Sequence, residues 1–168
     1  AQALPGVKRV AGMVKQDIEL VTDILPAGIT AGQGSGCAVL YGTIGHSPML
    51  DALEAAGKLD LNAIRGKWEC YSFQVIENPL AGIGTALVIA GSDKRGTIYG
   101  LFHLSELIGV SPLVNWNHVL PRHQDTVVLD DRVNMVSRVP SVKYRGFFIN
   151  DEWPAFGNWA KACLLYTS

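Results

Sequence analysis

A short hydrophobic run near the C-terminus constrains the fold more than any other feature of this sequence. Residues 144–149, Tyr-Arg-Gly-Phe-Phe-Ile, are rich in aromatic and β-branched residues without a helical period, which is typical of a buried strand. The run stops at Asn150-Asp151-Glu152, and the C-terminal end of a strand is where a β/α barrel places its chemistry. A barrel needs about 250 residues. We therefore expect the first strand of a truncated barrel in this chain of 168 residues.

The residues before this run predict a small layered α/β domain, because helical and strand patterns alternate along them. Helices are expected over residues 5–24, 48–56 and 97–108, and strands over 37–41, 69–75, 85–90 and 125–129. Residues 130–140 are interpreted as a linker, with Pro140 at the domain boundary. The sequence thus predicts an accessory domain with a mixed sheet over residues 1–140, then the first barrel strand and its loop over 141–162.

The last six residues, 163–168, match the translation of a transposon-end sequencing adapter, Cys-Leu-Leu-Tyr-Thr-Ser. All six agree in order, so we interpret them as a non-native tail and leave them out of the fold argument. Localisation stays open from the N-terminal residues, which show neither an initiator Met nor an export signal. A secreted or periplasmic bacterial protein is the expectation.

Composition excludes several classes of function. Hydrophobic residues make up 48% of the chain and charged residues 17%, which is globular, and the net charge of −1 is unlike that of a nucleic-acid binder. No apolar run approaches the roughly 20 residues that span a membrane. The three cysteines are irregularly spaced, which argues against a disulfide framework or a Cys-x-x-Cys metal site. His118 and His123 lack a third ligand nearby. We expect no cofactor, no metal, no nucleic acid and no membrane partner.

A glycine-rich loop raises the alternative of a nucleotide-binding domain. Gly91-Ser-Asp-Lys-Arg-Gly96 lies between a predicted strand and a predicted helix, as a phosphate-binding loop would. It lacks the Gly-Lys-Ser/Thr ending, however, and Asp93 would repel a phosphate. We therefore interpret it as a tight turn in which Ser92 or Asp93 caps the helix.

Candidate site residues follow from the carboxylates at the end of the run. A glycosidase needs two carboxyl groups, and adjacent strand residues point to opposite faces, so Asp151 and Glu152 cannot be the two partners. One of them could be, with its partner beyond residue 162. Trp153 offers either a sugar platform or ordinary packing. His46 lies in a glycine-flanked loop between a predicted strand and a predicted helix. Loops in this position often carry binding groups, so His46 is a candidate to face a ligand.

Five segments carry a resemblance to a known family: Gly42-Thr-Ile-Gly-His-Ser47, Gly66-Lys-Trp-Glu69, Ile89-Ala-Gly-Ser-Asp-Lys-Arg-Gly-Thr-Ile-Tyr-Gly100, Ser105-Glu-Leu-Ile-Gly-Val-Ser-Pro112 and Val142-Lys-Tyr-Arg-Gly-Phe-Phe-Ile-Asn-Asp-Glu152. They resemble glycoside hydrolase family 115, the xylan α-1,2-(4-O-methyl)-glucuronidases, in the right order over nearly all of residues 5–160. Residues 113–119 depart from the family, which usually has a more tryptophan-rich stretch there. No sugar-facing role is assigned to that loop.

The resemblance implies an α/β accessory domain followed by a β/α barrel and further domains. It implies inverting removal of glucuronic or 4-O-methylglucuronic acid from xylan, with Asp151 as the catalytic candidate. Asn150, Glu152, His46 and Trp153 are the substrate-binding candidates. The expected partners are glucuronoxylan or aldouronic acid oligosaccharides, and a second copy when the protein is full length. The degree of polymerisation and methylation of the substrate stay open.

Two further expectations concern the chain by itself. It should have no hydrolase activity, because at most one of the two required carboxyl groups is present. Residues 147–149 should be exposed, because the neighbouring barrel strands are absent. The alternative to an enzyme fragment is a stand-alone carbohydrate-binding or interaction module with the same fold.

Overall fold

The structure is a computed structural model that describes residues 4–29, 36–114, 119–128, 130–148 and 157–158. A four-stranded mixed sheet with the strand order β1-β3-β2-β4 forms its centre. The elements are α1 (Pro5–Thr22), β1 (Cys37–Thr43), α2 (Pro48–Ala55), β2 (Tyr71–Glu77), β3 (Thr85–Gly91), α3 (Lys94–Leu107), a 3-10 turn (Asp131–Val133) and β4 (Met135–Val136). The predicted α/β class with a mixed sheet is confirmed.

The pairing of the strands brings several chain segments to one end of the sheet. β3 runs parallel to β1, in a register that pairs Thr43 with Gly91, and antiparallel to β2, in a register that pairs Tyr71 with Gly91. The start of β2 therefore lies beside the carboxyl end of β3, at the same end of the sheet as the carboxyl end of β1. In open α/β sheets this end is where ligands usually bind.

Helices cover both faces of the sheet, and each face has its own hydrophobic core. On one face α1 and α3 pack against side chains that include Phe73, Leu87 and Ile89. On the other face α2 and residues 59–64 pack against side chains that include Ala86 and Val88. Because successive residues of β3 alternate between the two faces, a strand buried on both sides needs an unbroken apolar run. Residues 85–90 supply that run, as predicted.

The helices form where the sequence predicts them, with shifted ends. α1 ends at Thr22, because Asp23 adopts a left-handed conformation with φ of 58° and donates its N–H to the Glu19 carbonyl. Pro48 occupies the first turn of α2, as expected. α3 begins at Lys94, three residues earlier than predicted.

The segment 130–140 is more than a linker, and that interpretation is wrong. β4 pairs antiparallel with β2 and becomes the edge strand of the sheet. Flanking side chains complete the attachment: the Val75 N–H donates to Asn134 Oδ1 at 2.7 Å, and the Tyr71 N–H donates to Ser137 Oγ at 2.9 Å. A strand of two residues is too short to show a period in sequence, so only the pairing with β2 identifies it.

Residues 125–128 do not form the predicted strand. The Gln124 N–H donates to the Val21 carbonyl at 2.9 Å, and its side-chain amide donates to the Ile108 carbonyl at 2.8 Å. These two bonds hold the chain at the C-terminal ends of α1 and α3. Val127, which follows, packs against the hydrophobic core under α1 and α3 and not along an edge of the sheet.

The predicted buried strand at 144–149 is also not observed, as far as residue 148 is described. Residues 144–148 have no strand conformation, and the relative exposures of Tyr144, Phe147 and Phe148 are 87%, 98% and 93%. A strand of this composition is stable only when neighbours pair with it and cover it. No described part of this chain does either. The exposure of Phe147 and Phe148 matches the expectation for the chain alone, whereas the barrel itself stays a prediction.

Candidate functional site

Four of the five residues predicted to form the site, Asn150, Asp151, Glu152 and Trp153, lie outside the described residues. Their roles stay predictions. The fifth, His46, is described, as is the segment that leads to the other four. The site is therefore built from what surrounds that segment.

His46 lies at the carboxyl end of β1, in the turn before α2. The turn is tight, since Gly45 has φ of 76° and the His46 N–H donates to the Thr43 carbonyl at 3.0 Å. The imidazole is exposed and makes none of the described side-chain hydrogen bonds. This position is open to a ligand from outside the chain. Its predicted binding role stays a prediction.

The turn after β3 is a helix cap, as predicted, and Asp93 is the capping residue. Its Oδ1 accepts the Gly96 N–H at 2.8 Å, and its Oδ2 accepts the Glu69 N–H at 2.7 Å. Ser92 has another role, because its Oγ accepts the Cys70 N–H at 2.9 Å. The polar groups of the loop thus form hydrogen bonds with the start of α3 and with the residues just before β2.

The glycines of this turn are required by close packing. A Cβ on Gly91 would overlap the backbone and side chain of Thr97, and a Cβ on Gly96 would overlap the Cys70 carbonyl. One turn later, Gly100 lies against the sheet in the same way. These contacts let α3 begin directly on the end of the sheet. They explain the glycine spacing without a phosphate.

A buried carboxylate binds two arginines at this end of the sheet. Glu69 is only 7% exposed and adopts a left-handed backbone conformation, with φ of 52°. Its Oε1 accepts from Arg95 Nη1 at 2.8 Å, and its Oε2 accepts from Arg145 Nη2. We call Glu69, Arg95 and Arg145 the ion-pair cluster. Both oxygens of Glu69 are neutralised by arginine, as a buried carboxylate requires.

Arg145 has the richest surroundings of the three. Its guanidinium donates to Tyr99 Oη at 3.2 Å and to the Val142 carbonyl at 2.6 Å. It lies 5.7 Å from the Trp68 ring centroid and 5.8 Å from that of Tyr99, within range of cation–π attraction. The hydrogen bond and charge of Glu69 raise the pKa of Arg145 above its ordinary value.

An open groove of about 570 Å³ lies beside the cluster and is lined by Glu69, Tyr71, Tyr99, Arg138 and Arg145, among others. Both oxygens of Glu69 are occupied by arginine side chains. The cluster is therefore suited to holding the chain in place. Across the described ranges, no three His, Cys, Asp or Glu residues come close enough to hold a metal ion, and no helix could span a membrane.

Sequence reasoning did not find this cluster. A signal was present, because Glu69, Arg95 and Arg145 fall in three different segments of the five that carry the family resemblance. Those segments are separated by up to 76 positions along the chain, and nothing local shows which carboxylate meets which arginine. Their convergence depends on the register of β2 against β3.

Comparison with known proteins supports the family resemblance. The family model described as glycosyl hydrolase family 115 matches residues 137–165. A solved structure described as a family GH115 4-O-methyl-α-glucuronidase, BtGH115A, superposes with a TM-score of 0.74 at 33% identity over 96% of this chain.

Together, the family match and the structural match support a fragment of a glycoside hydrolase family 115 protein. The chain spans 19% of the length of the solved relative. That relative is described as having specificity for decorated arabinogalactans. No curated protein matches the sequence. The matched GH115 residues include Arg145 together with the four predicted site residues outside the described part.

Proposed function

We propose that the complete protein containing this chain is an inverting α-glucuronidase. It would remove glucuronic or 4-O-methylglucuronic acid from the side chains of a plant polysaccharide. The observation that carries the proposal is the family match over residues 137–165, which includes the polar residues after the predicted barrel strand. The 4-O-methyl-α-glucuronidase relative supports the same reaction class.

Two polysaccharides are candidates for the substrate. The resemblance seen in sequence implies glucuronoxylan or the aldouronic acids derived from it. The solved relative acts on decorated arabinogalactans, and it is 33% identical to this chain. Both substrates would present a terminal α-linked uronic acid to the same pocket. The difference would lie in the contacts to the main chain, so the two must be compared at equal uronate concentration.

The residue roles combine the family resemblance with what inversion requires. An inverting enzyme holds its acid and base about 6.5–9.5 Å apart, with a water molecule between the base and the sugar. We assign Asp151 to the reacting end of the pocket, with its partner supplied from beyond residue 162. Asn150, Glu152 and Trp153 would contact the uronate, and His46 would be a more distant binding group. The chain by itself would then be inactive.

Replacing Asp151 tests the assignment. In the complete protein, Asp151→Ala should lower kcat/KM on aldouronic acids at least tenfold, about 1.4 kcal/mol of transition-state stabilisation. Asp125→Ala is the matched control, because Asp125 is an exposed carboxylate whose side chain contacts His123 on the accessory domain. That variant should retain the wild-type kcat/KM on the same aldouronic acids.

The outcomes separate the alternatives. A folded Asp151→Ala protein with near-normal turnover would remove Asp151 from the site and leave Glu152 as the candidate. Uronate release by the present chain alone would refute the fragment interpretation. Binding of xylan or arabinogalactan oligosaccharides by the chain, with no uronidase activity in the complete protein, would favour the stand-alone binding module.

A further inference from the structure

Residues 141–148 are attached to the α/β domain through a single side chain, as far as the structure describes them. Arg145 supplies the ion pair to Glu69 and the hydrogen bond to Tyr99, and it approaches Trp68. The aromatic residues on either side of it are almost fully exposed. Within residues 141–148, Arg145 is therefore the one described point of attachment to this domain.

The other contacts of Glu69 do not depend on Arg145. Glu69 already has a partner in Arg95, and its backbone N–H is held by the Asp93 carboxylate that caps α3. Removing Arg145 would leave Glu69 paired with Arg95, so the domain would not acquire an isolated buried charge. Arg145 is thus dispensable for the fold of the domain. Its contacts order only the segment to which it belongs.

The chemistry of the contact requires arginine. A planar guanidinium can donate to Glu69, Tyr99 and a backbone carbonyl while its face lies near an aromatic ring. A lysine ammonium is a compact charge that could keep the pair with Glu69 but not this set of contacts. These contacts therefore fix the orientation of the chain at Arg145 as well as its distance from Glu69.

The distance to the predicted site is short. Asp151 lies six positions after Arg145, which is at most about 20 Å of extended chain at roughly 3.3 Å per residue. A misplacement of about 1 Å in a catalytic group can cost about a hundredfold in rate. We therefore expect the rate to be sensitive to how the chain is held at Arg145.

We propose that the ion-pair cluster is a positioning device through which the accessory domain orders residues 141–148, the chain that leads to the predicted catalytic residues. This inference rests on the proposed glucuronidase function for its kinetic consequence. Its structural consequence does not depend on any activity. Glu69 and Arg145 are positioning residues that act through the chain between them and the site.

The first experiment needs no substrate. Backbone order parameters of residues 144–146 are measured by 15N relaxation in this chain as wild type, Arg145→Gln and Lys143→Gln. The wild type should be near the rigid value of about 0.85, and Arg145→Gln should fall below about 0.6. Lys143→Gln is the matched control, since Lys143 lies over the Tyr144 ring and does not reach the cluster. Low order in the wild type, or no change in Arg145→Gln, overturns the proposal.

The second experiment uses the complete protein. Arg145→Gln and Glu69→Gln should each lower kcat by roughly ten- to a hundredfold with KM changed less than about threefold. The double variant should be no slower than the slower single variant, because one contact is lost in each case. Arg145→Lys should recover part of kcat. Thermal unfolding of each variant checks that the protein is folded.

The two experiments fail in different ways. A wild-type protein without uronidase activity would refute the proposed function, while the order parameters would still decide whether the cluster orders the segment. An active wild type with folded Arg145→Gln and Glu69→Gln variants of normal kcat would overturn the positioning role. Additive losses in the double variant would overturn it as well, because they would mean that the two residues act separately.

Discussion

Two of the segments that carry the family resemblance differ in how this chain uses them. In residues 89–100 nearly every small or polar side chain has a partner within the chain, from the Asp93 cap to the glycines under α3. In residues 142–148 the aromatic side chains have almost none, and Phe147 is 98% exposed. Only Arg145 is held.

This difference in burial indicates that the two motifs resemble the family for different reasons. The first segment is explained by packing that is completed inside the α/β domain. The second contains large apolar side chains that gain nothing here, and such residues usually have a covering surface elsewhere. We infer that the first motif serves the fold of this domain and that the second serves a neighbouring one.

The largest expected effect compares two phenylalanines. Phe73 is fully buried in the core beneath α1 and α3, so Phe73→Ala should lower the free energy of unfolding by about 3–5 kcal/mol. Phe147→Ala should change it by less than about 0.5 kcal/mol and should improve solubility. Urea denaturation followed by circular dichroism measures both. Equal costs for the two variants would show that residues 142–148 pack onto the domain, and would remove the contrast.

A second comparison uses two glycines, one from each segment. A Cβ on Gly96 would overlap the Cys70 carbonyl, which is backbone and cannot move aside, whereas a Cβ on Gly146 would meet nothing within 4 Å. Gly96→Ala should therefore cost about 2–3 kcal/mol despite the better helix propensity of alanine, and Gly146→Ala should be nearly neutral. Gly12→Ala, at an open position in α1, is the control and should stabilise by about 0.5–1 kcal/mol. A neutral Gly96→Ala would mean that α3 can shift away from the sheet.

The smallest expected effect concerns Tyr71 at the start of β2. Burial and the charge of Glu106 raise the pKa of Tyr71 above its ordinary value of about 10. The neutral form is favoured in the folded state, so its contribution to stability is present below pH ~10 and is lost as the pH rises through the folded pKa. Ultraviolet titration should show one late phenolate that Tyr71→Phe removes and Tyr144→Phe leaves. If Tyr144→Phe removed it instead, the environment assigned to β2 would be wrong.

Much of the α/β domain could be predicted from periodicity and capping residues. The apolar run of β3, the Pro48 start of α2 and the turn after β3 all depend on neighbours in sequence, so local patterns identified them. The prediction failed at 125–128 and at 135–136. A short apolar stretch becomes a strand only if it lies along an unpaired edge of the sheet, and the local sequence does not show whether it does. The interpretation of 130–140 as a linker missed β4 for that reason.

The candidate site was less predictable than the fold. The sequence by itself identified the polar residues at 150–152 and the family, through patterns that are contiguous along the chain. Only the tertiary structure decided that Glu69, Arg95 and Arg145 meet, because ion pairs between distant segments depend on strand register and on a buried end of the sheet. The physical reason is that periodicity records which side of one element is covered, whereas the position of a charge relative to a distant partner appears only when the elements have packed.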